Sequence, residues 1–229
     1  RRVPKCSGRG PPPRGTGWLR VTTDRESLVR GLLLVEAVCR ANPGPVSMTA
    51  VHIVAYLAEA LAPVWGLESH ERQVLKRAGS PYFPGLQQVV DDLICRGAVT
   101  VVHYDPSMGK HTDLVANATI DLVHEVVQPA VELAEQFSNL RDLSHLYLEV
   151  ALAASRAPDL GRLVALDASY SNPTVSLNRL IQLGTGEPRG SAALAEKIGK
   201  LLNERVASRG EKISLYVGHL VRFASRRDD

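Results

Sequence analysis

Apolar positions in this chain recur at helical spacing in several separate stretches, and the best punctuated of these lie between Thr23 and Ala118. Leu28, Val29, Leu32, Val35 and Cys39 form one stripe, entered through Thr23 and Glu26 at capping-box spacing and left at Asn42-Pro43-Gly44-Pro45. A second helix is expected to start at Ser47 or Thr49, to bury Val51, Val54, Leu57, Ala58 and Leu61, and to end near Pro63. Ser69 and Gly79 bracket a short third helix, Glu71 to Ala78, with Val64 and Trp65 plugging the core between the two. Pro84 suits the first position of a fourth helix, where its missing N–H would be unpaired anyway. Leu86, Val89, Val90, Leu93 and Ile94 then make one stripe that Gly97 closes.

The pattern changes at Ala98. Residues 98–104 are rich in β-branched side chains and can pair with residues 114–118 across Asp105-Pro106-Ser107-Met108-Gly109-Lys110. Helices followed by a hairpin predict a mainly α fold: a winged helix-turn-helix-like module with a small β-hairpin wing, plus additional C-terminal helices. A helix from Thr119 would carry Ile120, Val123, Val127, Ala130, Val131, Ala134 and Phe137, with Pro129 kinking or restarting it. Asn139 would cap the next, bearing Leu143, Leu146, Tyr147, Val150 and Ala154. Further helices are expected from Asn172-Pro173 through Leu183, from Ser191 through Ala207, and from Ile213 to Phe223. The resulting division is a Gly/Pro-rich basic disordered arm (1–21), the winged-helix-like domain with its following helices (22–157), and a C-terminal helical lobe (158–229), with the boundary between Pro158 and Ser171.

Composition narrows the setting. Apolar runs such as Leu32 to Val35 and Ile53 to Ala58 fall far short of the roughly 20 residues that span a bilayer, so no membrane role is expected. Cys6, Cys39 and Cys95 are odd in number and widely spaced, which points to a reducing cytoplasm rather than a disulfide framework. Residues 1–23 hold six of the 27 Lys and Arg and no acid, so the remaining 21 face all 24 Asp and Glu, and the body of the chain is mildly acidic.

That balance bears on what the module binds. A helix reading a DNA groove needs donors aimed at bases and cations near phosphates. The fourth helix offers Gln87, Gln88, Asp91, Asp92 and Arg96; two adjacent carboxylates repel a duplex, so Gln87, Gln88, Asp91 and Asp92 are read as partner-docking residues. Arg72, Lys76 and Arg77 would share one face of the short third helix, and with Lys110 on the wing they are the candidate nucleic-acid contacts. No catalytic, cofactor-binding or metal-ligating set is assigned. Gly184 to Gly190 lacks the Gly-Lys-Ser/Thr ending of a phosphate loop, and His124-Glu125 and His145 with Glu149 have no nucleophile or metal constellation around them.

Two stretches carry a family likeness. His52-Ile-Val-Ala-Tyr-Leu-Ala-Glu-Ala-Leu-Ala-Pro-Val-Trp-Gly-Leu67 and Val74-Leu-Lys-Arg-Ala-Gly-Ser-Pro-Tyr-Phe-Pro-Gly-Leu-Gln-Gln-Val-Val-Asp-Asp-Leu-Ile94 resemble the middle component of bacterial ABC-three-component systems, over residues 24–155. The resemblance implies a small non-enzymatic adaptor joining a large ATPase, related to chromosome-maintenance proteins, to a separate effector in defence against phage or plasmid DNA. It implies no catalytic residues and no cofactor, with DNA met directly or through the complex. The competing expectation is a cytoplasmic winged-helix transcription regulator, a homodimer that uses the basic arm and Arg72, Lys76 and Arg77 on phosphates.

Overall fold

The first helix, α1 (Arg25–Ala41), starts one residue later than the capping-box spacing implies. Asp24 is the cap, its carboxylate accepting from the Ser27 N–H at 2.7 Å. The computed structural model describes residues 23–71, 73–104, 118–183, 190–201 and 208–226. In these residues the chain is mainly helical, with two small antiparallel sheets.

After α1, Asn42 turns the chain into β1 (Val46–Ser47), and Ser47 caps α2 (Met48–Trp65) by accepting from the Ala50 N–H. The helix does not stop at Pro63. Proline cannot donate to the carbonyl of Glu59 four residues back, but the Ser69 hydroxyl does so at 2.8 Å, and the helix continues one more turn. Gly66, at φ 85°, then closes it, with the Gly66 and Leu67 N–H groups returning to the Pro63 and Ala62 carbonyls. Val64 and Trp65 thus belong to the helix itself. Among the described residues α2 is the one helix long and apolar enough to cross a membrane, and 83% of it is buried inside the fold, as befits a core helix.

The expected third helix is replaced by strands: β2 (Gln73–Lys76) and β3 (Pro81–Tyr82) form a hairpin in which Lys76 faces Pro81 and Gly79, at φ 82°, makes the turn. Next comes α3 (Pro84–Cys95), which Gly97 ends as expected, at φ 73°. The strands of the expected hairpin are β4 (Val99–Tyr104) and β5 (Ala118–Leu122), with Val99 opposite Leu122 and an irregularity between Val101 and His103. Here too a boundary moves. Thr119 and Ile120 sit in β5, and Ile120 is fully buried there, because β1 pairs with β5 and turns the short edge into a three-stranded sheet of order β1-β5-β4.

Helices α4 (His124–Ala134), α5 (Ser138–Ala154) and α6 (Leu160–Ala165) follow. The helix expected from Asn172 is absent: the chain turns through 172–179 and enters β6 (Leu180–Gln182), which pairs with β2 in a sheet of order β3-β2-β6. Last come α7 (Ser191–Leu201) and α8 (Arg209–Ala224), the latter opened by a complete capping box between Ser208 and Glu211.

One apolar core runs through all of this. Helix α2 is its axis, with α5, α7 and α8 packed on it, while α1 packs against α5 and α3. The expected boundary at 158–171 does not break that core: Leu163, Val164 and Tyr170 are buried, and Ile213 and Val217 of α8 join the same cluster as Leu57 and Val150. The arm 1–21, the wing tip with Lys110, Arg72 and the Gly184 loop lie outside the described residues.

Candidate functional site

The two groups of residues singled out in the sequence meet different fates. Of the docking set on α3, Gln87 is buried and spoken for. The Phe83 N–H donates to Nδ1 of His52, so its Nε2 carries the proton toward Oε1 of Gln87 at 3.4 Å, and Nε2 of Gln87 in turn donates to Asp91 at 3.2 Å. The Tyr82 ring lies 5.0 Å from the imidazole. This relay joins α2, the start of α3 and the middle of α3, so Gln87 is a structural residue; Gln88, Asp91 and Asp92 remain half-buried at the surface of the helix.

The basic patch dissolves. Lys76 lies on a strand, and its ammonium donates to the carbonyls of Asn172 at 3.2 Å and Val175 at 2.8 Å beneath the Tyr170 ring, which fastens the 172–175 turn to β2. The Arg77 guanidinium stacks 3.7 Å over the Tyr82 ring. Neither cation is poised for phosphate. Of the histidine pairs, His145 and Glu149 find different partners: His145 lies 3.9 Å from Glu135, and Glu149 accepts from Ser214.

No family model matches the chain, and neither a curated protein nor a solved structure matches it significantly. Function therefore rests on the surfaces and cavities of the fold itself.

Two features stand out, and the first is α4. Only Val127 and Ala134 of this helix are buried, whereas Val126, Ala130 and Leu133 are exposed, and Phe137 is exposed just past its end. Spacings of four and seven put Ala130 and Leu133 on the side of Val126, where apolar residues meet water. Glu125 and Glu132 are exposed beside them.

The second is a partly open cavity of about 160 Å³ lined by α1, α2, α3, α5 and the loop before β2. Its α1 and α3 walls approach closely at Gly31, where an added Cβ would meet Val89 Cγ1 at 2.2 Å. Leu34, Ala55, Phe83, Leu86 and Val89 give it an apolar floor. Glu59 sits in its wall, 7% exposed, with the His70 N–H at 2.7 Å and the Glu71 N–H at 3.3 Å both donating to Oε2. Burial pushes this carboxyl up to about 7, against the pull of those two N–H groups and of the Arg30 guanidinium. Burial, with Glu59 nearby, also raises the Tyr147 phenol. Arg30 itself is bound to Glu26 at 3.0 Å. Sequence reading passed over Glu59, although a signal was present: it is the single Asp, Glu, Lys or Arg in the eighteen residues of α2.

Proposed function

We propose that this chain is a non-enzymatic adaptor subunit, built on a winged-helix-like module, that docks a large ABC-type ATPase and an effector in a DNA-directed defence complex. The order of elements supports the module: helix, strand, helix, then α3 and the β4–β5 hairpin, with the β2–β3 hairpin inserted ahead of α3 and the first strand added beside β5. The partner comes from the resemblance of residues 24–155. What carries the docking reading is the cation-free outer surface of α3 together with the exposed apolar row of α4, Val126, Ala130 and Leu133, and the exposed Phe137 that follows it. An apolar row flanked by Glu125 and Glu132 fits a partner patch with an apolar centre and a basic rim.

The test is co-purification of the tagged chain from its native cytoplasm in the presence of nuclease, followed by mass measurement of the intact assembly. A stoichiometric large ATPase is expected, and Leu133→Glu with Phe137→Glu should release it, because two buried charges at the centre of an interface cost at least about 3 kcal/mol. Both side chains are exposed, so circular dichroism of the variant should be unchanged. The alternative, a winged-helix transcription regulator, draws on the same element order and on the six cations of residues 1–23. It predicts a lone dimer that carries DNA only until nuclease is added.

A further inference from the structure

We propose that the cavity between α1, α2 and α3 is a binding site for a small aliphatic ammonium compound, whose apolar body lies on the Leu34, Ala55, Leu86 and Val89 floor and whose cationic head meets Glu59. The site is separate from the docking row on α4 and meets the docking set on α3 only at Gln88.

Size sets the first limit. A cavity of about 160 Å³ is of the order that accepts a benzene-sized guest, so the ligand is a small molecule with a short hydrocarbon body. Charge sets the second. Among the described residues, Asp24, Glu59 and Glu71 line the cavity against one guanidinium, that of Arg30, which Glu26 already engages. An anion would meet three carboxyls and one occupied cation, and a neutral hydrocarbon would leave the polar wall without partners.

Hydrogen-bonding capacity sets the third. Oε2 of Glu59 is served by two backbone N–H groups, and no described group donates to its other oxygen. The buried hydroxyl oxygen of Thr23 likewise has no hydrogen-bond partner among the described residues, and Thr23 belongs to the same wall. An ammonium group brings three donors and no acceptor, which matches acceptors left open beside a carboxylate. Burial already disfavours the Glu59 anion, and a cation within the cavity is the counterpart that would restore it.

Calorimetric titration of the full chain with n-hexylammonium chloride tests this, with n-hexanol and hexanoate as probes of matched size and different charge. Hexylammonium should bind with one-to-one stoichiometry, hexanol at least about tenfold more weakly, and hexanoate not at all, since one charge-assisted hydrogen bond is worth a factor of that order. Glu59→Gln keeps an oxygen for the His70 and Glu71 N–H groups and should cost hexylammonium at least about tenfold while leaving hexanol unchanged. Ser27→Leu, which places a bulky group in the cavity and spares the capping N–H, should abolish both. Should Glu59→Gln fail to fold, Glu71→Gln reads the same loss on the cation alone. Absence of hexylammonium binding overturns the proposal, as does equal affinity for hexanol or a Glu59→Gln variant that binds the cation as well as the parent.

Discussion

Glu59 shows how one buried carboxyl couples the core to the solution. Its pKa lies near 7 in the folded chain against an ordinary 4.5, so between those values the folded state holds a proton that the unfolded state releases. The sign follows: this group leaves stability intact below about pH 4 and lowers it progressively as pH rises through 7, by about 3 kcal/mol in all. The groups facing it are Asp24 and Arg30 from α1, His70 and Glu71 from the loop and Tyr147 from α5. Denaturant titrations at pH 5 and pH 8 check the effect. Glu59→Gln should flatten the difference and be the more stable protein at pH 8, and an unchanged slope would assign the pH dependence elsewhere. At this scale the sequence was a partial guide. Gln87 and Gln88 are neighbours on α3, and nothing local says that the first is consumed by His52, 35 residues earlier, while the second reaches the cavity edge.

Among the elements, the contact of α1 with α3 is the one that shapes the cavity, and Gly31 makes it close. Alanine ordinarily favours a helix over glycine by about 1 kcal/mol. At this position the added carbon would sit 2.2 Å from Val89 Cγ1, so Gly31→Ala should instead destabilise by about 1–3 kcal/mol, the cost of overpacking. Pairing it with Val89→Ala should recover most of that loss, which a double-mutant cycle in urea would measure. If Gly31→Ala alone stabilises, the helices are not held at this distance. Elements bounded by local chemistry were legible in the sequence: Ser47, Pro84 and Gly97 mark the ends of α2 and α3 as their capping roles imply. The exceptions are β2 and β6. They pair Val74 with Ile181 across more than a hundred residues, and a four-residue strand whose partner is that distant leaves only Ser, Gly and an apolar pair, which suit a short helix equally well. The loss of the supposed basic patch follows from that one misassigned element, since Lys76 and Arg77 cannot share a helical face when they stand at the end of a strand.

For the whole molecule, the question is what binds the C-terminal helices to the rest, and the answer centres on Asp167, which is fully buried just beyond α6. Its carboxylate accepts from the hydroxyls of Tyr56 on α2, Ser191 on α7 at 2.9 Å and Tyr216 on α8 at 2.8 Å, and from the N–H groups of Ser169 at 3.0 Å and Tyr170 at 3.1 Å. Burial, followed by the Asp167 carboxylate, raises the Tyr56 and Tyr216 phenols, so both remain donors throughout the ordinary pH range. Three helices thus donate to one acceptor just beyond a fourth, inside the segment that composition marks as a linker. An Asp-Ala-Ser-Tyr-Ser run between two Pro-containing stretches looks like punctuation, and only the return of α7 and α8 converts it into the meeting point of the fold. Because the Tyr56 and Tyr216 hydroxyls and the Tyr170 N–H are buried and have this carboxylate as their acceptor, Asp167→Ala would leave several donors unsatisfied at once, at about 1–3 kcal/mol for each. The loss should therefore exceed about 3 kcal/mol and depress the urea midpoint steeply. Tyr216→Phe removes one donor and should cost about 1 kcal/mol. If the core is continuous, circular dichroism and tyrosine fluorescence will report a single coincident transition in the parent chain. Two separated transitions, with Asp167→Ala shifting only one, would instead mean that the helices beyond residue 158 fold as a unit of their own.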